Sequence, residues 1–260
     1  MLRLFRKPDS KSQERDPEQS LPSLYSPRSP ASEAYRMLRT NIRFSAEGNS
    51  LRVIQVASTF PSEGKSLTAA NLAVTFAQAG SKTVLVSADM RMGTAHKLFG
   101  IPQSPGLSEA IVTGDLQPSI VPGPIDRLSI VPSGTMPPNP SELLHSNRMD
   151  AILVQLRSEY DIVIVDSPPV LGLADTSVIA HKVDGVLMVV AIDLTNKHAN
   201  QRAVSILKSV NARILGVVVT GVKLGSRNRG YHGYDDYYYY YYAYREPSRS
   251  GDEDKGESAN

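Results

Sequence analysis

The chain has 260 residues, no cysteine, and 28 basic against 26 acidic side chains, a formal net charge of +2. A balance so near neutrality gives no electrostatic case for nucleic acid, and the lack of cysteine excludes disulfides and thiolate metal centres. No apolar run reaches the roughly 18 residues of a membrane span, so a soluble α/β domain with tails is expected, any membrane contact running through a partner.

Residues 1–30 are rich in Ser, Pro and charge and read as a disordered N-terminal tail without a signal-peptide core. Arg3, Arg6 and Lys7 would at most graze an anionic bilayer. A domain over 31–224 follows, opening with a helix over 31–45. There Tyr35, Leu38 and Ile42 make one apolar stripe, and Ser32 is the expected N-cap. Glu33, Arg36 and Arg39 recur three apart on a neighbouring face. That spacing suits a solvated charged face, or a self-complementary contact between copies.

Val53 to Asn71, VIQVASTFPSEGKSLTAAN, passes from a β-branched run through a small-residue loop into Gly64-Lys65-Ser66 and then helix formers. A buried strand, a phosphate-holding loop and a helix read this way. Backbone N–H groups at a helix start are unpaired, and the helix dipole favours an anion there. Ser62, Glu63, Gly64, Lys65, Ser66 and Leu67 are therefore expected to hold the phosphates of ATP. Lys65 would reach the β- and γ-phosphates, and the Ser66 hydroxyl would complete the shell of Mg²⁺. Thr59 stands where the usual pattern begins with Gly, so the loop needs support from elsewhere. Two strands supply it: Lys82–Val86 delivers Ser87, Asp89 and Arg91, and Tyr160–Val165 delivers Asp166. In a parallel sheet such ends lie side by side, where ligands bind.

Between and beyond these, a helix over Ser66–Ala79 stops at Gly80, and a short one covers Ser108–Val112. A strand over Arg127–Val131 precedes a Pro-rich rigid loop, after which Ser141 caps a helix through Leu144. Asn147–Glu159 is an amphipathic helix, and a further helix begins at Asp175. Strand Gly185–Ile192, helix Lys197–Asn211 and strand Ile214–Val219 complete an alternation that predicts a mainly parallel, doubly wound sheet. From 225 to 260 the composition changes. Tyr231, Tyr234, Tyr237, Tyr238, Tyr239, Tyr240, Tyr241, Tyr242 and Tyr244 place nine of twelve tyrosines within fourteen residues. Six adjacent phenols cannot all find partners inside a core. They read as a sticky low-complexity tail or as accessible phosphoryl acceptors.

From Ser32 to Tyr244 the chain resembles the bacterial tyrosine kinases of capsular and exopolysaccharide biosynthesis, in their separate cytoplasmic form. The stretches that carry the resemblance are EAYRMLRTNIRF, ASTFPSEGKS, SADMR, PSGTMPPNPSELL, YDIVIVDSPPV with Asp175 downstream, GVVVTGV and the tyrosine cluster. The resemblance implies a P-loop NTPase fold of the deviant Walker type. It also implies γ-phosphoryl transfer from Mg-ATP to C-terminal tyrosines of neighbouring copies, a ring-like homo-oligomer and a resetting tyrosine phosphatase. A membrane-spanning polysaccharide co-polymerase would activate the kinase at the inner face of the membrane. By position, Lys65 and Ser66 match the Walker A lysine and Mg²⁺ ligand, Asp89 and Arg91 the second acidic motif, and Asp166 the Walker B carboxylate. Ser66, Asp89 and Asp166 are the implied metal ligands, and Glu33, Arg36 and Arg39 match the oligomerisation motif.

Three positions depart from the family pattern. Ser62 replaces a loop Gly, which a negative φ would tolerate. Thr220 replaces an Asn near the adenine. Ser87 replaces the first Asp of the second acidic motif, where a carboxylate would organise Mg²⁺ and accept the tyrosine proton. Two other functions remain open on the residues: a nucleotide-binding scaffold with weakened transfer, or a partition or septum-positioning ATPase. The latter carries a signature lysine where Phe60 stands here.

Overall fold

Three short runs, apolar but for a buried Gln55 in the first, become the centre of one sheet. β1 (Val53–Ser58), β2 (Thr83–Ser87) and β5 (Ile162–Asp166) are buried at every position, as parallel strands covered on both faces must be. The structure is a computed structural model that describes residues 21–45, 51–192 and 194–222. Its sheet runs β3-β4-β2-β5-β1-β6-β7, with β3 at Val121–Pro122, β4 at Leu128–Val131, β6 at Gly185–Ala191 and β7 at Ile214–Thr220. Every pairing is parallel except β3 on β4. The expected doubly wound architecture is therefore present, and all carboxyl ends but that of β3 share one edge.

Alternation along the strands sorts side chains between the two faces. Leu85 of β2 and Ile164 of β5 join a core built on α3 (Lys65–Gln78), while Val86 and Val165 join the opposite core. That second core packs under α5 (Leu107–Thr113) and α7 (Asn147–Glu159). A third cluster lies between β6, α8 (Asp175–Ala180) and α9 (Lys197–Ser209). One step further along, Ser87 and Asp166 are paired in register. The same alternation returns both to the α3 face, beneath the phosphate loop.

The domain begins earlier than its sequence suggests. Leu21 is fully buried, α1 (Pro22–Tyr25) follows it, and Ser23 is gripped by α3 through both backbone groups. Its N–H donates to Asn71 Oδ1 at 3.0 Å, and its carbonyl accepts from Gln78 Nε2 at 2.8 Å. Polar composition hid this arm, because Leu21, Leu24 and two backbone bonds of Ser23 anchor it. Residues 1–20 of the expected tail, and the tyrosine-rich segment over 225–260, lie outside the described residues. Helix α2 (Pro30–Phe44) is capped by Ser29 rather than Ser32: Ser29 Oγ accepts from Ser32 N at 3.2 Å, and Pro30 takes the first helical position. Helix α6 (Pro140–His145) begins likewise at Asn139, so Ser141 lies inside it and its hydroxyl is free for another partner. The antiparallel β3 and the short α4 (Ala95–Phe99) have no counterpart in the sequence reading.

Candidate active site

The loop between β1 and α3 has the geometry of an anion cradle. Gly64 is the N-cap of α3 at φ 89°, a left-handed conformation open to glycine at no steric penalty. The first intrahelical bond runs from Thr68 N to Gly64 O at 2.9 Å, so the N–H groups of Lys65, Ser66 and Leu67 precede the ladder and face outward. Ser62 departs from expectation. Its φ is +66°, not negative, and a Cβ there costs about 1–2 kcal/mol of strain. The loop is braced from within by Glu63, which is 1 % exposed and accepts from Phe60 N at 2.8 Å. Burial pushes the Glu63 carboxyl above its usual range despite that bond. Thr220, at the end of β7, donates from Oγ1 to Glu63 O at 2.7 Å. Thr220 thus clamps the phosphate loop.

Three of the residues singled out by sequence converge at the carboxyl edge. Lys65 Nζ lies 2.9 Å from Asp89 Oδ2 and 3.4 Å from Asp166 Oδ1, and donates to Ser66 Oγ at 3.1 Å. All three charged side chains are under a tenth exposed. Burial alone would lower the lysine's pKa, but the carboxylates of Asp166 and Asp89 outweigh it and raise it. Asp166 is also held above the ordinary carboxylate range, because burial exceeds the attraction of Lys65. Its Oδ2 finds no protein partner. An orphaned, buried carboxylate oxygen beside Ser66 and Asp89 fits a divalent cation. Among the described residues no three His, Asp or Glu side chains cluster as a protein-only metal site. This is what a Mg-nucleotide site asks for, since Mg²⁺ takes one or two carboxylates and fills its shell with water and phosphate oxygens.

Ser87 sits against this cluster with its hydroxyl buried and without a partner. A Cβ on Gly93 would meet Ser87 Oγ at 2.9 Å and Ser133 Oγ at 3.0 Å, so the loops after β2 and β4 touch here. Asp89 reaches that contact too, its Oδ1 accepting from Met92 N at 2.9 Å. Arg91 is turned to a different partner, its Nε donating to Asp175 Oδ2 at 3.0 Å. Asp175, 1 % exposed, also takes the Ser141 hydroxyl. The sequence marks Asp175 as a helix start and as the acidic residue downstream of YDIVIVDSPPV, without a role; in the structure it orients the site's arginine. Glu109 was missed altogether. It accepts from Gly106 N at 2.8 Å, Thr135 N at 2.9 Å, and the hydroxyls of Ser104 and Ser108 at 3.0 Å each. The only sequence signal for it was an acidic residue in the first turn of a predicted helix. Glu33, Arg36 and Arg39 lie apart from this site. Arg36 Nη1 pairs with Glu33 Oε2 at 2.7 Å, and Arg39 Nη1 donates to Thr75 O of α3 at 2.7 Å.

Comparison with known proteins places this geometry in a wider set. The family described as "AAA domain" matches residues 51–214. The tyrosine-protein kinase YwqD of Bacillus subtilis (strain 168) is 34 % identical over 214 residues, covering 82 % of this chain and 90 % of that protein. Among solved structures, the chimerical protein CapA2B2 superposes with a TM-score of 0.75 at 38 % identity, covering 77 % of this chain and 89 % of the other. The kinase domain of the Escherichia coli tyrosine kinase ETK gives a TM-score of 0.75 at 30 % identity, over 81 % of this chain and 84 % of that one.

Proposed function

The chain belongs to the bacterial tyrosine-protein kinases, and from that premise we propose that it phosphorylates the C-terminal tyrosines of neighbouring copies, at the expense of ATP, to regulate capsular or exopolysaccharide polymerisation and export. The observation that carries the reading is the convergence of Lys65, Asp89 and Asp166 on the phosphate loop, in a chain with nine tyrosines clustered at its end. A Mg²⁺ ion, held by Ser66, Asp89 and Asp166, would neutralise phosphate charge. Lys65 exchanges its carboxylate contacts for the phosphates and stabilises charge on the transferred group. The acceptor's phenol oxygen bonds to the γ-phosphorus as the bond to the β–γ bridging oxygen breaks. ADP leaves, and Asp89 would take the phenol proton. Arg91, oriented by Asp175, adds positive charge beside it.

Assembly follows the same logic. The outward face of α2 carries Met37 and Phe44, 38 % and 78 % exposed, beside Glu33 and Arg36; this supports a contact between copies, closed into a ring. Arg39 serves that contact indirectly, by fixing α2 on α3. β7 ends at the phosphate loop, so the chain leaves the sheet on the active-site side. About seventeen residues separate Thr220 from Tyr237, a contour length of at most about 60 Å and enough to reach a neighbour's site. Nine phosphotyrosines would add roughly −14 to −18 charges to a chain of net +2 and loosen the assembly until a phosphatase resets it. A membrane-spanning co-polymerase would bring the kinase to the inner membrane face. The test mixes a Lys65→Met copy that keeps its tail with an active copy truncated after Ser226. Phosphate should appear on the inactive copy while particle mass falls. Self-labelling of the intact protein without that transfer would show reaction in cis.

One observation favours a second reading. Ser87, buried and without a partner where the family has Asp, would leave a nucleotide-binding scaffold with weak transfer. Phosphotyrosine mapping after incubation with Mg-ATP separates the two.

A further inference from the structure

A tyrosine whose phenol oxygen reaches Asp89 must rest its ring at the mouth of the site. Two loops meet on the Asp89 side, one after β2 and one after β4, and each carries an exposed methionine. Met92 is 73 % exposed and Met136 58 % exposed. Scattered exposed apolar side chains are ordinary; these two are held. The Met92 N–H donates to Asp89 Oδ1 at 2.9 Å, which ties its backbone to the reacting carboxylate. Met136 follows Thr135, whose N–H donates to Glu109 and whose carbonyl accepts from Ser108 Oγ at 2.7 Å. Its segment meets the first loop at one end and is linked to it through Asp175 at the other. Ser133 meets Gly93, and Ser141 binds the Asp175 carboxylate that holds Arg91. Both backbones are thus fixed while both thioethers face solvent.

We infer that Met92 and Met136 form a subsite for the aromatic ring of the acceptor tyrosine. The inference rests on the phosphotransfer reading above and extends it from the phosphate end of the site to the acceptor end. A thioether is soft, polarizable and conformationally adaptable, and it makes favourable contacts with aromatic rings. Adaptability matters for an acceptor with six consecutive tyrosines, which must be admitted in several registers rather than one. A rigid aromatic pocket would select a single frame, whereas two flexible apolar arms on fixed backbones accept each ring in turn.

The test uses the full-length protein with the nine C-terminal tyrosines changed to serine and its seven methionines labelled at the ε-methyl with ¹³C. Met92→Leu and Met136→Leu assign the two signals. With Mg²⁺ and a non-hydrolysable ATP analogue present, a peptide holding one tyrosine between acidic residues is titrated in. The methyl signals of Met92 and Met136 should both move upfield and saturate, as ring currents require, and an alanine version of the peptide should move neither. A shift missing from either methyl, or given equally by the alanine peptide, overturns the subsite. With ATP in place of the analogue, Met92→Ser and Met136→Ser should each raise the peptide's KM about five-fold, which at 1.4 kcal/mol per decade is about 1 kcal/mol. Met92→Leu should recover it. An unchanged KM, or a loss confined to kcat, also overturns the proposal. Methyl shifts without phosphate on the peptide keep the subsite and refute the transfer reading; phosphate without methyl shifts does the reverse.

Discussion

Replacing Lys65 by Met should do more than abolish transfer. In the structure this lysine is the cation paired with two buried carboxylates, Asp89 and Asp166, which are 4 % and 1 % exposed at the side chain. Removing one member of a buried ion pair costs about 3–5 kcal/mol, because the other is left charged in a poor dielectric. A ceiling exists, since the stranded carboxylate can take a proton instead. At pH 7 that escape costs about 4 kcal/mol, one step of about 1.4 kcal/mol for each of roughly three pH units above its ordinary value. The two figures agree. The sign of the pH dependence follows from Asp166, whose pKa burial already raises and which loses the opposing pull of Lys65 in the variant. A carboxyl raised in the folded state holds its proton more tightly there than when unfolded. Its penalty is absent below the ordinary carboxylate pKa and grows as pH climbs towards the raised value. Lys65→Met should therefore be less stable than the parent by about 3–4 kcal/mol near pH 7.5. The gap should narrow by about 2 kcal/mol at pH 5.5. Urea denaturation followed by circular dichroism, in EDTA and without nucleotide, measures both. Equal stability at pH 7.5, or a gap that widens on acidification, would refute the reading of Lys65 as the neutralising partner of this pair.

Other outcomes follow from neighbouring contacts. Ser87→Asp should raise phosphotransfer about ten-fold if about 1.4 kcal/mol of barrier is recovered. It should lower stability in EDTA, where a third carboxylate joins a cluster with one lysine; Mg²⁺ titrated into a thermal melt should reverse that loss. Burial alone would raise the Glu109 pKa, but the bonds from Thr135 and Gly106 hold it at about 2 against an ordinary 4.5. The stability it contributes is present above pH 4.5 and lost as pH falls towards 2. Glu109→Gln should cost about 1 kcal/mol at pH 7, discounted for the solvent that reaches it, and the difference from the parent should shrink in denaturation runs at pH 3.5. Changing Glu33 and Arg36 together to Ala should leave the circular dichroism spectrum intact and shift light-scattering mass towards monomer. Arg39→Ala should instead lower the melting temperature, since its bond is to Thr75 within the chain.

Much of this protein was legible because its signals are local. Strands buried on both faces are written as mainly apolar runs, so β2 and β5 could be read to within two residues, β1 from its first residue, and α7 over Asn147–Glu159 to the residue. Parallel pairing then carries Asp89 and Asp166 to the loop of Gly64-Lys65-Ser66 from strand ends alone. The left-handed Ser62 and the buried arm at Leu21 were not legible, since each depends on contacts that a stretch of sequence does not contain: the bracing of the phosphate loop, and two amides of α3 reaching a backbone 48 and 55 residues away. The Ser29 cap was signalled locally, by Pro30 at the first helical position, and was passed over for Ser32. Tertiary structure alone decided which charge meets which. Lys65 faces Asp89 and Asp166, and Arg91 turns to Asp175. Glu109 gathers four donors from two loops because β2 and β4 are neighbours in the sheet. Secondary structure follows from the spacing of apolar side chains along one segment. The partners of a buried charge follow from which segments the fold brings together, and desolvation makes those pairings obligatory.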